Sequence, residues 1–200
     1  MIPTPWGYSV DGDSLPPLIT PGQLESATGG RFGASAPGVE LVLAGVSAAI
    51  RNACGWHVSP TLTVVERTQG PGRVIALRTL LVSDVEAVME NGSELPGGCC
   101  EWTDTGLLRR CQFRQWPGGF GSVSVRYSSG IPIECAPDLV AVAAQVASNA
   151  LAAPAGVRSE QAGDVSVTYN QTGAGVSGGV RLLDSDLSML KPYMIEGVLS

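Results

Sequence analysis

The chain has 200 residues, 44% of them hydrophobic and 15% charged, and its net charge is −6 at pH 7. This composition excludes a disordered chain, and the acidic balance argues against nonspecific nucleic-acid binding, which depends on neutralising many phosphates. The first residues lack the basic start and apolar run of a signal peptide, and the longest weakly polar run, residues 139–153, is too short and too polar to cross a bilayer. Because the cysteines are also odd in number and scattered, we expect synthesis in a reducing cytoplasm and no membrane partner.

The first predicted element is a short helix in "TPGQLESATGG". Thr20 suits the cap, Pro21 suits the first helical position, and Gln23 completes a capping box. Gly29 and Gly30 then end the helix.

A longer helix is predicted from near Pro37 to Gly55. Its apolar residues recur at helical spacing and form one stripe, while small residues fill much of the remaining surface. Such a surface suits close contact on more than one side. The stripe consists of Val39, Leu43, Val46 and Ile50.

Between His57 and Tyr127 the hydrophobic period changes to two, which predicts a β-rich block. The pair Asn91-Gly92 is a strong signal for a tight hairpin. The predicted strands are Leu62–Glu66, Val74–Val82, Val85–Glu90, Leu107–Phe113 and Ser122–Tyr127.

A third helix is predicted after Cys135, with Pro137 in its first turn and Pro154 beyond its end. Its shared face is formed by Leu139, Val142, Ala143, Val146 and Ala150. This helix and the one after Pro37 are expected to pack against each other.

The remaining residues predict a strand, a glycine-rich loop and a short helix. The strand alternates Val165, Val167 and Tyr169, and the loop covers residues 171–179. The short helix carries Leu187 and Leu190, is capped by Asp184 or Ser185, and is interrupted by Pro192.

The order of these elements predicts an α+β fold in one domain, residues 1–200. It consists of a small helical bundle, an inserted β-rich block over residues 57–130 between the two long helices, a C-terminal strand, and a C-terminal arm over residues 171–200.

The glycines Gly173, Gly175 and Gly178 satisfy the spacing GxGxxG. A dinucleotide site needs such glycines between a strand and a long helix of a βαβ unit. Too little chain follows them for a second strand with a ribose-binding acid, so we predict no cofactor and a mobile arm that orders on a neighbour.

Candidate catalytic and metal-binding residues are few. His57 is the single histidine, and no nucleophile-elbow GxSxG accompanies it. Of the five cysteines, Cys99 and Cys100 are adjacent, and neighbouring cysteines do not easily share one tetrahedral zinc ion. We therefore predict no enzyme and no metal, with Cys111 at an apolar strand position and a structural role for His57 at a helix end.

Basic and aromatic residues lie close together near the end of the β-rich block. This interleaving is found in single-stranded nucleic-acid sites, but alternating arginines also occur on a solvated sheet face, and the acidic balance favours that interpretation. The residues are Arg109, Arg110 and Arg114, with Trp102, Phe113 and Trp116.

The order of motifs resembles the head-to-tail adaptor (connector) proteins of long-tailed double-stranded DNA bacteriophages. The resemblance is carried by "LITPGQLESATG", by "VSVRYSSGIPIECAPDLVAVAAQVASNAL" and most strongly by "GVRSEQAGDVSVTYN" followed by "LLDSDLSMLKPY". The residues at the places that family members share are Ser159, Glu160, Gly163, Val167, Tyr169, Leu190, Lys191 and Tyr193.

The resemblance implies a structural virion protein at the head–tail junction, assembled in the host cytoplasm. It implies a homo-oligomeric ring, in twelve copies, between the portal protein and a stopper or tail-completion protein, with DNA passing through the lumen without sequence readout. It carries nothing over for the β-rich block or for the first nineteen residues. The alternative from another class is a soluble, non-viral binding module with a β-rich recognition domain.

Two sets of residues are predicted to make contacts between subunits. The small-residue helices offer complementary faces for a head-to-tail ring, and apolar residues dense at a chain end suggest a partner that buries them. The predicted subunit interface is Val39, Leu43, Val46, Ile50, Ala143 and Ala147. The predicted interface with the portal or a neighbour is Leu182, Leu183, Met189, Leu190, Tyr193 and Ile195.

Overall fold

The computed structural model describes residues 1–70, 72–112, 114–152, 159–162, 165–168, 171–173, 176–177 and 179–195. These residues form two compact units. The first unit contains Met1–Leu15, Gly55–Pro132 and Ile195, and the second contains Pro16–Cys54 and Ile133–Met194. The fold is α+β, as predicted.

The first unit consists of antiparallel strands. They are β1 (Ile2–Pro3), β2 (Tyr8–Val10), β3 (Leu62–Thr68), β4 (Val74–Ala76), β5 (Val82–Glu90), β6 (Ser93–Glu94), β7 (Cys100–Trp102), β8 (Leu107–Arg110) and β9 (Val123–Ser129). One sheet has the order β1-β2-β3-β9-β5-β6, and a smaller sheet has the order β4-β8-β7. In the central strand β9 every second side chain is buried, from Val123 to Ser129, as the period of two requires.

The predicted hairpin at Asn91-Gly92 is confirmed. It joins β5 to β6, with Glu90 paired to Ser93. Asn91 has φ of 50° and Gly92 has φ of 83°, the left-handed conformations that a two-residue hairpin turn needs at both central positions.

The strand predictions differ from the structure in three respects. A single strand over Val74–Val82 is wrong, because the chain leaves β4 after Ala76 and turns where the Thr79 hydroxyl donates to Leu81 O at 3.0 Å. Strand β8 ends at Arg110 because Gln112 has φ of 55°, and Phe113 lies outside the described residues. The strands β1, β2, β6 and β7 were not predicted, since each has at most three residues and no measurable period.

Among its described residues the second unit contains four α-helices: α1 (Pro21–Ala27), α2 (Val39–Cys54), α3 (Pro137–Ala152) and α4 (Asp184–Leu190). The capping box of α1 is confirmed, since the Thr20 hydroxyl accepts from Gln23 N at 3.2 Å and the Gln23 side chain accepts from Thr20 N at 2.7 Å. The predicted cap of α4 is wrong. Leu183 is the N-cap, and the backbone N–H of Leu183 donates a hydrogen bond to the Asp186 carboxylate at 2.9 Å.

The long helices α2 and α3 pack against each other, as predicted. Two polar side chains of α2 also fix the segment that precedes α1. The Ser47 hydroxyl accepts from Leu18 N at 2.9 Å, and the buried Arg51 guanidinium donates to Pro16 O at 2.7 Å. The second unit therefore has its own core.

Two short antiparallel ladders precede α4. Strand β10 (Ser159–Ala162) pairs with β11 (Val165–Thr168), and β12 (Gln171–Gly173) pairs with β13 (Val176–Ser177). The strand predicted at Val165 is confirmed up to Thr168, and its last predicted residue, Tyr169, lies outside the described residues. Gly163, one of the residues that carry the family resemblance, also lies outside them.

Candidate interaction surfaces

His57 belongs to a buried polar network in the first unit. Its Nε2 is 3.0 Å from Ser129 O, which can only accept, so Nε2 carries a proton. The Tyr8 hydroxyl accepts from the backbone N–H of His57 at 2.9 Å and lies 3.0 Å from its Nδ1. Both ring nitrogens therefore have partners that hold the sheet together, which fits a structural role.

A second buried group lies on β3 and β9. The Glu66 carboxylate accepts from the Tyr127 hydroxyl at 2.8 Å and from Arg78 N at 3.0 Å. Burial raises the pKa of Glu66, and these two hydrogen bonds oppose that rise. Burial, followed by the nearby Glu66 charge, also raises the pKa of Tyr127. These side chains stiffen the sheet and are inaccessible to a ligand, since both residues are buried.

The arginines predicted on a solvated sheet face are in different surroundings. Arg109 is exposed and pairs with Glu101 on the neighbouring strand. Arg110 is only 6% exposed, its Nη2 is 2.6 Å from Glu90 Oε2, and its guanidinium lies over the Trp116 ring at 5.5 Å. The prediction of a solvated face is thus wrong for Arg110. Strand alternation turns it inward, where Glu90 and Trp116 compensate its charge.

Two apolar side chains lie exposed on the outer face of the smaller sheet, and we call them the outer-sheet patch. They are Val74 and Leu107, which are 48% and 45% exposed. Trp102 is 39% exposed, but it pairs with the inward Leu108 and therefore belongs to the other face of the sheet. These side chains, with Thr103 and the Glu101–Arg109 pair, line a depression of about 310 Å³. Contiguous apolar surface of this kind, bordered by charged groups, is typical of protein–protein contacts.

Phe120 is the most exposed large apolar side chain of the described residues, at 95%. It lies at the tip of the segment 117–122, whose end residues are joined by a hydrogen bond from the Ser122 hydroxyl to Pro117 O at 2.9 Å. Ser122 O in turn accepts from Asn91 N at 2.8 Å, which ties the tip to the β5–β6 hairpin. An aromatic ring held in solvent in this way has the properties of a binding anchor.

The six residues of the predicted subunit interface are buried within the second unit. Val39, Leu43, Val46 and Ile50 form the buried side of α2, and Ala143 and Ala147 are fully buried on α3. Their side chains are therefore occupied inside the subunit. The large apolar residue that α2 exposes is Leu41, at 79%, and the small residues Ala44 and Ala48 are exposed as well. That the two helices also contact a neighbouring copy stays a prediction.

The six C-terminal interface residues are in mixed surroundings. Leu190 is buried, and α4 contacts both α2 and α3. The Tyr193 hydroxyl donates to the Asp138 carboxylate at the start of α3, and Tyr193, Leu182, Leu183 and Ile195 are half-buried. Met189 is 45% exposed. Of the set, Met189 is thus the side chain most available to a partner.

The GxGxxG glycines do not precede a long helix. Gly173 pairs with Val176 in the β12–β13 ladder, and α4, the next helix, spans only Asp184–Leu190. Gly175 and Gly178 lie outside the described residues. The predicted loop over residues 171–179 thus contains a short antiparallel ladder.

No cluster of three or more potential metal ligands occurs among the described residues. Within the same ranges, no helix is long and apolar enough to cross a membrane.

No protein-family model and no curated protein matches this chain. Several solved chains have a similar fold, among them the following two. The neck of an empty GTA (gene transfer agent) particle, computed with C6 symmetry, is 14% identical at a TM-score of 0.52, covering 79% of this chain and 88% of that chain. The neck of a native GTA particle, computed with C12 symmetry, is 12% identical at a TM-score of 0.52, covering 94% of this chain and 98% of that chain. At these identities the likeness establishes the fold alone.

Proposed function

We propose that this chain is a structural subunit of a homo-oligomeric ring in the neck of a phage-like particle. The observation that carries the proposal is the likeness to a neck chain over 94% of this chain and 98% of the other. A match over both full lengths means that the β-rich unit and the helical unit both have counterparts in that chain.

The finer role is an adaptor that joins the portal at the capsid vertex to the tail. The order of motifs in the sequence supports this role, as does the acidic net charge of −6, because a basic lumen would retain DNA through phosphate contacts. In this role twelve copies form the ring, the portal and a stopper or tail-completion protein bind its two ends, and DNA passes through without sequence readout.

A ring of identical copies requires two different, complementary surfaces on each copy. The exposed Phe120 and the outer-sheet patch are candidates for such a pair. A depression of about 310 Å³ has room for a phenyl ring, since a cavity of about 150 Å³ holds benzene. Leu41 and Met189 are candidates for contacts of the helical unit, and the C-terminal residues from 171 onward are proposed to contact the portal or a neighbour.

The first test is the native mass of the purified chain, alone and mixed with the portal ring of the same particle. The proposal expects a ring-sized complex on the portal, twelve added copies per portal in its finer form, and a symmetric neck density in particles. A binding module of the alternative class would stay monomeric and leave the portal mass unchanged, which would refute the proposal.

The second test is the variant Phe120→Ser, compared with Gly118→Ser in the same tip. Gly118 has open space around it, so its substitution changes the tip without removing an apolar group. Burial of one phenylalanine contributes about 1.5–3 kcal/mol, which predicts a loss of about 10- to 100-fold in ring assembly for Phe120→Ser. Equal assembly of the two variants would exclude Phe120 as a ring contact.

A further inference from the structure

Two cysteines face each other at the open end of the β7–β8 hairpin. Cys100 pairs with Arg110 in the ladder, so the next opposed pair is Cys99 with Cys111. A hydrogen bond from Cys111 N to Cys99 O at 3.0 Å continues the ladder to that pair. Directly opposed residues have Cα atoms about 4.5–5.5 Å apart, within the range of about 4.4–6.8 Å that disulfides span.

Both side chains lie on the outer side of the smaller sheet. Alternation along β8 turns Arg110 inward and Arg109 outward, and the latter pairs with the outward Glu101 of β7. Cys99 is two residues from Glu101 and Cys111 is two residues from Arg109, so both cysteines lie on the same outward side. Cys111 lines a surface depression with Glu101 and Arg109, and both cysteines are only half-buried. A small soluble reagent therefore has access to the pair.

The other three cysteines are less suited to this reaction. Burial raises the pKa of Cys54 to about 12 and that of Cys100 to about 11, and the thiolate is the reactive species. Cys100 also lies on the inward side of β7 with Arg110. Cys135 is exposed, but it belongs to the second unit, so it serves as an internal reference for an unconstrained thiol.

We propose that Cys99 and Cys111 form a reversible intramolecular disulfide by exchange with a low-molecular-weight disulfide such as glutathione disulfide. One cysteine thiolate attacks a glutathione sulfur, which forms a mixed disulfide and releases one glutathione. The second thiolate then attacks the protein sulfur of that mixed disulfide and releases the other glutathione. The two cysteines together lose two electrons and two protons, which the glutathione disulfide takes up.

The disulfide closes the open end of the hairpin that carries the outer-sheet patch. It remains reduced in a reducing cytoplasm and forms when the protein reaches an oxidising medium. The chemistry goes beyond the proposed ring function and requires no assembly, so either can fail while the other holds.

The experiment uses the full chain, first reduced and then equilibrated without oxygen in buffers of rising glutathione disulfide to glutathione ratio. Remaining thiols are alkylated, and the intact mass and a peptide map are recorded. The expected result is two fewer alkylated thiols out of five, a mass lower by about 2 Da before alkylation, and one peptide pair that links Cys99 to Cys111. Addition of glutathione reverses the change.

Matched variants then separate this pair from its neighbours. Cys99→Ser and Cys111→Ser abolish the intramolecular disulfide, whereas Cys100→Ser and Cys135→Ser retain it. A link from Cys100 to Cys111 would overturn the proposal, as would dimers that require Cys135 or the persistence of five free thiols at the highest ratio. Cys99 and Cys100 lie on one peptide, so fragmentation of the linked peptide between these two residues identifies the bonded cysteine in the unchanged chain. The test therefore does not depend on the folding of any variant.

Discussion

The Tyr127→Phe variant tests whether Glu66 is held as a buried, hydrogen-bonded carboxylate. The substitution removes only the hydroxyl that donates to Glu66 at 2.8 Å, in a side chain with no exposed surface. A hydrogen bond to a charged group contributes about 1.5–3 kcal/mol, so we expect a loss of that size in the free energy of unfolding at pH 7. For a chain of this size, each 1 kcal/mol corresponds to about 2–4 °C in Tm.

The loss is expected to depend on pH. Burial raises the pKa of Glu66 in the native state above its pKa in the unfolded state. At a pH between these two pKa values, the native state therefore binds one proton that the unfolded state has lost. Stability from this group therefore increases as the pH falls through the native pKa, and above that pKa the cost of burying the charge is fully present. Since the Tyr127 hydroxyl lowers the pKa of Glu66, Tyr127→Phe raises it further. The destabilisation is thus largest at neutral pH and smaller once Glu66 is protonated.

Urea unfolding followed by tryptophan fluorescence at a series of pH values measures this difference, and Glu66→Gln supplies the control. In the Glu66→Gln background the position cannot ionise, so the second substitution costs only about 0.5–1.5 kcal/mol, as for a neutral hydrogen bond, at every pH. A double-mutant cycle gives the coupling between the two side chains. If the loss from Tyr127→Phe were the same at all pH values and in both backgrounds, the assignment of a charged buried acceptor would be refuted.

Two further substitutions test side-chain packing, one in the second unit and one in the first. Ala147→Leu places a bulky side chain on the fully buried face of α3 and is expected to cost about 1–3 kcal/mol of stability. Ala141→Leu on the exposed side of α3 leaves the unfolding midpoint nearly unchanged, and equal midpoints for the two variants would contradict close packing at Ala147. Gly130→Ala is expected to lower the unfolding midpoint by the equivalent of about 1–3 kcal/mol, because Gly130 has φ of 119° and an added Cβ would lie 2.3 Å from Pro60 O. Gly118→Ala, which meets open space, is the control for a glycine without such a constraint, and a Gly130 variant as stable as this control would refute the steric argument.

The sequence predicts the helices of the second unit well because their signals are local. Thr20, Pro21 and Gln23 define the start of α1 through contacts three residues apart, and the stripe on α2 repeats over a full helix length. The cap of α4 was missed because its key side chain, Asp186, bonds backwards to Leu183, a residue with no capping side chain of its own.

Long-range pairing accounts for most of what could not be predicted in the first unit. Strand β2 has three residues, and its place beside β3 depends on Tyr8, whose hydroxyl bonds to a histidine 49 positions away. The partner that compensates the charge of the inward Arg110, Glu90, likewise lies 20 positions earlier. Neither contact has a spacing that a period or motif would reveal. The exposure of Phe120 was also not predicted, since an aromatic residue in a glycine-rich turn is compatible with either a buried or an exposed ring.

The difference between buried apolar stripes and exposed apolar side chains bears on which residues can make contacts in the proposed ring. Apolar periodicity identifies the side chains that a helix buries, but it does not separate burial inside a subunit from burial between subunits. In α2 the periodic positions are covered by the helical unit itself, while Leu41, outside the stripe, remains 79% exposed. The same division holds in the smaller sheet, where Leu108 is fully buried and Leu107 is 45% exposed. In the proposed ring, contacts with other copies would use exposed side chains outside the buried stripes. For this reason Phe120 and the outer-sheet patch are stronger candidates for ring contacts than the stripe that periodicity selects.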